Sequence, residues 1–84
     1  MLAAAREGDA DAAAVALRAG AAVEARDSEQ RTPLMHAVLG DHVAVARVLV
    51  AMGADPGIRD AQGRTALENA RRLGHEEIVA VLGG

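Results

Sequence analysis

Residues 27–55 read DSEQRTPLMHAVLGDHVAVARVLVAMGAD, the one complete copy of a pattern that recurs along this chain of 84 residues. A forward shift of 33 residues carries Asp27 onto Asp60 and brings GRTAL at residues 63–67 into register. The same shift backwards aligns a partial copy through Ala4, Gly8, Val15 and Gly20. A fixed period in this range is typical of proteins built from stacked repeats.

Helix starts are specified in both later copies of the pattern. Thr32 suits the N-cap position, and Pro33 suits the first helical position because its missing N–H is not needed there. In the next copy Thr65 is followed three residues later by Glu68, which is the capping-box arrangement. The sequence therefore predicts helices that begin just after Thr32 and just after Thr65.

The first copy is predicted to be a pair of short helices. Residues 2–7 are rich in alanine, which has the highest helix propensity, and Gly8 suits the left-handed position that ends a helix. Asp9 or Asp11 is then expected to cap a second helix that stops near Gly20.

The second helix of each copy carries apolar residues on one face, at i, i+3 and i+4. Because equivalent positions lie 33 residues apart, these faces are expected to stack into one continuous core. The three stripes are Ala12, Val15 and Ala16, then Val45, Val48 and Leu49, then Ile78, Val81 and Leu82.

The repeated motifs resemble the ankyrin repeat. The resemblance is carried by TPL at 32–34, Ala37 and GAD at 53–55, and by TAL at 65–67 and Leu82 one period further on. It covers nearly the whole chain and implies about two and a half repeats. The expected fold is all-α, a solenoid of stacked antiparallel helix pairs with projecting hairpin-like loops.

One domain is expected over residues 1–84. Its expected parts are an N-terminal capping repeat at 1–26, a full repeat at 27–59 and a truncated C-terminal repeat at 60–84.

Two departures from the family pattern bear on the loops and turns. The family usually has a histidine after Thr-Pro-Leu that bonds to the neighbouring loop, but this chain has Met35 and Glu68 there, which predicts less rigid loops. Asp41 replaces the usual glycine between paired helices, with Gly40 one residue early. Because Asp adopts the left-handed conformation less freely than Gly, a slightly displaced turn is expected.

The composition argues against several classes of function. The absence of cysteine excludes disulfides, thiolate metal sites and cysteine catalysis. A formal net charge of −3 and the absence of aromatic residues argue against nucleic acid as a partner. No stretch approaches the ~18 apolar residues of a membrane span, so no membrane partner is expected. A cytoplasmic location is the expectation.

The three histidines are weak candidates for chemistry. His42 and His75 occupy the same repeat position, and the resemblance implies that they pack at the start of the second helix. His36 is expected to adjoin the binding face in a more open position, without a nucleophile beside it. No catalytic residue, metal ligand or cofactor is therefore predicted, and the chain is not expected to be an enzyme.

The resemblance implies a protein-binding module, because loop tips and the exposed side of each first helix line one concave face in such stacks. Arg26 recurs as Arg59, and Arg31 as Arg64, so an acidic partner is expected. That these arginines serve only solubility stays open, because neighbouring Asp side chains can neutralise them. The candidate contacts are Arg26, Ser28, Glu29, Arg31, Met35, Leu39, Arg59, Gln62, Arg64, Arg72 and Leu73, among which Met35, Leu39 and Leu73 are the expected apolar floor.

Two further expectations concern the chain as a whole. The alternative to a binding module is a structural fragment of a longer ankyrin array, or a minimal designed repeat stack, with no partner of its own. Self-association through the C-terminal helix is also expected, because Ile78, Val79, Val81 and Leu82 leave it apolar where a final repeat needs a polar outer face. Val79 and Ala80 are the expected contacts.

Overall fold

The computed structural model describes residues 2–83, which form six α-helices and no strand. The helices are α1 (Leu2–Glu7), α2 (Ala10–Arg18), α3 (Pro33–Leu39), α4 (Val43–Ala51), α5 (Ala66–Leu73) and α6 (Glu76–Val81). Each odd-numbered helix pairs with the one that follows it. Helices α1, α3 and α5 pack side by side in one layer, and α2, α4 and α6 in the other. The predicted all-α solenoid is confirmed.

The helix starts are capped as the sequence predicts. Thr32 Oγ1 accepts a hydrogen bond from the N–H of Met35 (3.4 Å) at the start of α3. Thr65 and Glu68 form the predicted capping box at the start of α5. Of the two candidates for α2, Asp9 is the cap, because its Oδ1 accepts the N–H of the third helical residue (2.9 Å). Local sequence thus fixes where three of the helices begin.

The predicted stripes are right in part. Val45 and Leu49 of α4 are fully buried and Val48 is half-buried, and in the third stripe Ile78 is buried whereas Val81 and Leu82 are half-buried. In α2 the buried residues are Ala13 and Leu17, whereas Val15 is 61% exposed. The reason is position in the stack: α4 lies between α2 and α6, but within residues 2–83 α2 has a neighbouring second helix on only one side.

The opposite end of the stack has a polar face on its first helix. Met35 and Val38 of α3 are buried, and α5 packs against α3. One period further on, Glu68 and Arg71 of α5 occupy the equivalent positions and are exposed. Charged residues therefore replace apolar ones where no further helix of residues 2–83 follows.

Asp41 adopts the left-handed conformation expected at its position, with φ 55°, and Gly74 one period later has φ 74°. Gly40, the residue before Asp41, is needed for another reason. The ring of His42 lies over Gly8 and Gly40, and a Cβ at either glycine would overlap that ring. Both glycines therefore make room for the histidine.

His42 and His75 each join one helix pair to the pair before it. His42 Nε2–H donates to the carbonyl oxygen of Arg6 near the end of α1 (3.1 Å). His75 Nδ1–H donates to the carbonyl oxygen of Val38 near the end of α3 (2.8 Å). Carbonyl groups near the end of a helix lack partners in a following turn, and that of Val38 also accepts the N–H of Asp41 (3.1 Å). The structural role implied for both histidines agrees with this geometry.

Candidate protein-binding face

Each loop between helix pairs is built around one aspartate. Asp27 Oδ1 accepts hydrogen bonds from the N–H groups of Glu29 (2.8 Å) and Arg31 (3.0 Å). The N–H of Gln30 donates to the carbonyl oxygen of Asp27 (3.0 Å), which closes a tight turn. Asp60 binds the backbone of the second loop in the same way. The aspartates thus give the loops their hairpin-like shape without a strand in the described residues.

The same aspartates fasten the loops to the first helices. His36 Nε2–H donates to Oδ2 of Asp27 (2.7 Å), and the side chain of Asn69 bonds to Asp60. His36 follows Met35, and Asn69 follows Glu68, the equivalent of Met35 in the next repeat. The two side chains therefore take the place of the family histidine that this chain lacks. The expectation that His36 is open is wrong, since its side chain is only 10% exposed.

Hydrogen bonding keeps both carboxylates ionised. The backbone N–H of Arg31 is the main cause that lowers the pKa of Asp27 to about 2; burial opposes it, and the bond from His36 adds to it. For Asp60, burial acts to raise the pKa, but bonds from the N–H of Arg64 and from other donors outweigh it, so that pKa is also lowered. At neutral pH both loops therefore contain a fixed negative charge.

Arg26 and Arg59 are exposed, but their N–H groups donate hydrogen bonds to other residues of the chain. Arg26 Nε donates to the carbonyl oxygen of Gln30 (3.1 Å), and its Nη2 donates to the carbonyl oxygen of Arg59 in the next loop. Arg59 Nη1 donates to the carbonyl oxygen of Gly63 (2.7 Å) and to Oε1 of Glu68 (3.1 Å). These two arginines thus link the first loop to the second, and fewer of their N–H donors are left for a protein partner.

Arg31 and Arg64 occupy equivalent positions with different surroundings. The Arg31 side chain is 28% exposed, its Nη1 lies 3.0 Å from Oε2 of Glu29, and its charge helps to lower the pKa of Asp60 in the next loop. Arg64 is exposed and takes part in no ion pair among residues 2–83. Arg64 is therefore the more available of the two for a ligand.

The apolar floor differs from the prediction. Met35 is only 1% exposed, because its side chain is part of the core between α3 and α5, so its assignment as a surface contact is wrong. Leu39 is half-buried. Leu73 at the end of α5 is 39% exposed and is the main apolar side chain left on this side.

A chain of hydrogen bonds connects the second loop to α5. Asp60 holds the N–H of Arg64 (3.0 Å) and bonds to Asn69, whose Oδ1 accepts from Nη2 of Arg72 (3.0 Å). Arg72 is itself exposed and adjoins Leu73 in sequence. We call the set formed by Gln62, Arg64, Arg72 and Leu73 the second-loop surface.

The first loop lies beside the second. The N–H of Ala61 donates to the carbonyl oxygen of Glu29 (3.0 Å). Ser28 and Glu29 are exposed at the tip of the first loop, as is Gln62 at the tip of the second. Ser28, Glu29 and Gln62 were predicted as contacts from the sequence, and their role stays a prediction. Asn69 and the bond from His36 were not predicted, because both depend on how the loop folds back onto the helix.

Residues 2–83 contain no pocket and no group of three His, Asp or Glu side chains arranged to hold a metal ion. None of the helices in this part of the chain has both the length and the apolar character needed to cross a membrane.

Comparisons with known proteins agree with this architecture. The family model for ankyrin repeats, in three copies, matches residues 1–83. The chain is 46% identical over 61 residues to the Ankyrin repeat and LEM domain-containing protein 1 homolog of Caenorhabditis elegans, covering 73% of this chain and 9% of that protein. It is 41% identical over 58 residues to the ADP-ribosylation factor GTPase-activating protein AGD2 of Arabidopsis thaliana, covering 69% of this chain and 8% of that protein.

A human relative is similar over the same share of the chain. The chain is 44% identical over 64 residues to the Arf-GAP with coiled-coil, ANK repeat and PH domain-containing protein 2 of Homo sapiens, covering 74% of this chain and 8% of that protein. The chain thus spans less than a tenth of the length of the curated relatives it matches.

The chain belongs to the ankyrin repeat family. The family model counts three copies, and the described residues contain three helix pairs joined by two loops. The predicted count of about two and a half came from the interpretation of both flanking copies as partial. The boundaries after residues 26 and 59 stay predictions.

Proposed function

We propose that this chain is a non-enzymatic protein-binding module whose partner docks on the concave face, with the second-loop surface as the centre of the contact. Ankyrin repeats generally serve as protein interaction modules. The observation that carries the proposal is Arg64, an exposed guanidinium without an ion pair within residues 2–83, on a loop that Asp60 holds in place.

An acidic segment is the proposed partner. A guanidinium group presents a planar fork of N–H donors that matches a carboxylate, and Arg64 and Arg72 both lie on the second-loop surface. Leu73 beside them offers an apolar contact. A loop already fixed by hydrogen bonds loses little conformational entropy when a partner binds, which favours affinity.

A charge reversal with a matched control tests this proposal. The protein recovered by affinity purification with the wild-type chain is purified, and its association with Arg64→Glu and Arg47→Glu is measured across a salt series. Arg47 is also exposed but lies on α4, in the other helix layer. We expect Arg64→Glu to slow association by about tenfold or more at low salt, since rim charges act mainly on the association rate.

Arg47→Glu should associate at the wild-type rate, and both variants should keep the wild-type circular dichroism. Equal binding by the two variants would place the contact elsewhere. Failure to recover any specific partner would favour the alternative that the chain is a structural part of an array with no partner of its own.

A further inference from the structure

Each of the two loops carries an arginine at the same place, and one neighbouring side chain distinguishes the two sites. Arg31 and Arg64 lie one period of 33 residues apart. Two positions before these arginines, the first loop has Glu29 and the second has Gln62. Glutamate and glutamine have almost the same shape, so the loops differ at this position in charge alone.

The backbone holds Glu29 and Gln62 in the same way. The N–H of Glu29 donates to Oδ1 of Asp27 (2.8 Å). The N–H of Gln62 donates to Oδ1 of Asp60 (2.9 Å). The residue that follows is left-handed in both loops, with φ 62° and 76°, and both side chains are exposed. A carboxylate at position 62 would therefore stand where the carboxylate of Glu29 stands in the first loop.

The charge at this position decides how available the neighbouring arginine is. Oε2 of Glu29 lies 3.0 Å from Nη1 of Arg31, so a carboxylate of the chain itself already engages that guanidinium. Gln62 has no charge, and Arg64 belongs to no ion pair among residues 2–83. An acidic segment that docks on the first loop must displace Glu29 and is repelled by it, whereas docking on the second loop meets neither obstacle.

We propose that the difference between Glu29 and Gln62 fixes the register in which an acidic segment binds the repeat stack. Two equivalent arginines would otherwise offer the segment two positions, one repeat apart, and Glu29 disfavours the first of them. Glu29 is then a specificity-determining residue that selects the register instead of adding a favourable contact. This inference rests on the proposed function, because it requires an acidic partner that docks on Arg64.

Exchange of the two side chains tests this register with a defined probe. The isotopically labelled chain is titrated at low salt with an oligoglutamate peptide, and the Nε–H signals of Arg31 and Arg64 in nuclear magnetic resonance spectra give the affinity at each arginine. We expect the wild type to bind the peptide more tightly at Arg64. Glu29→Gln should tighten binding at Arg31, and Gln62→Glu should weaken binding at Arg64, each by about two- to fivefold, as for other exposed ion pairs. The double exchange should shift the ratio of the two affinities toward Arg31 by the product of both factors.

Glu77→Gln is the matched control, because it removes the same charge from an exposed position on α6, in the other helix layer. It should leave the ratio of the two affinities unchanged, and all variants should keep the wild-type circular dichroism. A response of Arg64 to the peptide with no gain at Arg31 in Glu29→Gln would overturn the role of Glu29 and leave the proposed function standing. Binding at neither arginine of the wild type would contradict the acidic contact itself, and the register with it. An equal change of the ratio in Glu77→Gln would assign the effect to net charge and overturn the inference.

Discussion

Asp27 is the residue whose charge holds the first loop, so acid should release that loop. Its pKa in the folded chain is about 2, below the ordinary value of 3.8, so its ionised form stabilises the fold above about pH 4 and this contribution is lost as the pH falls toward 2. We expect the thermal midpoint, followed by circular dichroism, to fall through this range.

Asp27→Asn should lower the midpoint at pH 7 and reduce its fall between pH 4 and 2. Asp60 should leave part of the slope in place, because its pKa is lowered as well. A variant whose midpoint stays parallel to the wild type at every pH would show that Asp27 does not carry the acid dependence.

Gln30 is under backbone strain that one substitution can remove. It has φ 62°, whereas the equivalent residue of the second loop is Gly63, with φ 76°. The left-handed conformation costs a side-chain-bearing residue about 1 to 2 kcal/mol, and glycine loses about 0.5 to 1 kcal/mol through its freer unfolded chain. Gln30→Gly should therefore raise the free energy of unfolding by about 0.5 kcal/mol in urea titration. Ser28→Gly, at the same loop tip, should lower it slightly; an equal change in both would contradict the argument.

For single residues, the sequence predicts the features that depend on residues nearby in the chain. Thr32 and Thr65 could be identified as caps because a cap bonds to an N–H only three residues later. The bond from His36 to Asp27 spans nine residues and exists only because the loop folds back onto α3. Met35 was predicted to belong to the apolar floor of the binding face, but its side chain is buried in the core instead.

Helix α4 is one of the two central helices of residues 2–83, since it packs on α3 and lies between α2 and α6. Leu49 is fully buried there. Leu49→Ala should lower the free energy of unfolding by about 2 to 5 kcal/mol through lost contacts and the cavity left behind. Val15→Ala, on the exposed face of α2, should change the thermal midpoint little at dilute concentration. Similar losses in both variants would mean that the two helices contribute alike.

Periodicity identified the apolar faces of the second helices but could not show which of them have a neighbour. The pattern of Ala12, Val15 and Ala16 is the same as that of Val45, Val48 and Leu49. Within residues 2–83, α4 lies between two other second helices, whereas α2 has one beside it. Burial in a stack therefore depends on a repeat's place in the array as well as on its own sequence.

For the whole molecule, the charged end on α5 should prevent open-ended growth. Replacing Glu68 with Met and Arg71 with Val gives the last helix pair the residues that α3 presents to α5. The double variant should form assemblies that are larger than those of the unsubstituted chain and grow with concentration, because head-to-tail contacts do not close. Static light scattering would detect them. Glu77→Met, an exposed change on α6, is the control and should leave the molar mass unchanged; growth in both variants would point to general stickiness.

The ring of His42 over Gly8 and Gly40 has an evolutionary consequence. A Cβ at either glycine would overlap the ring where it now lies, so we expect a substitution there to require that His42 shift or be replaced, and Gly8, with φ 73°, also favours glycine for its backbone conformation. The order of mutations is thereby constrained, and these three positions are expected to covary among descendants of this chain. The ring of His75 does not require a glycine at the equivalent position, where the chain has Leu73. His75 bonds through Nδ1, whereas His42 bonds through Nε2. His42 and His75 occupy equivalent positions of two repeats, but they restrict different sets of substitutions at neighbouring positions.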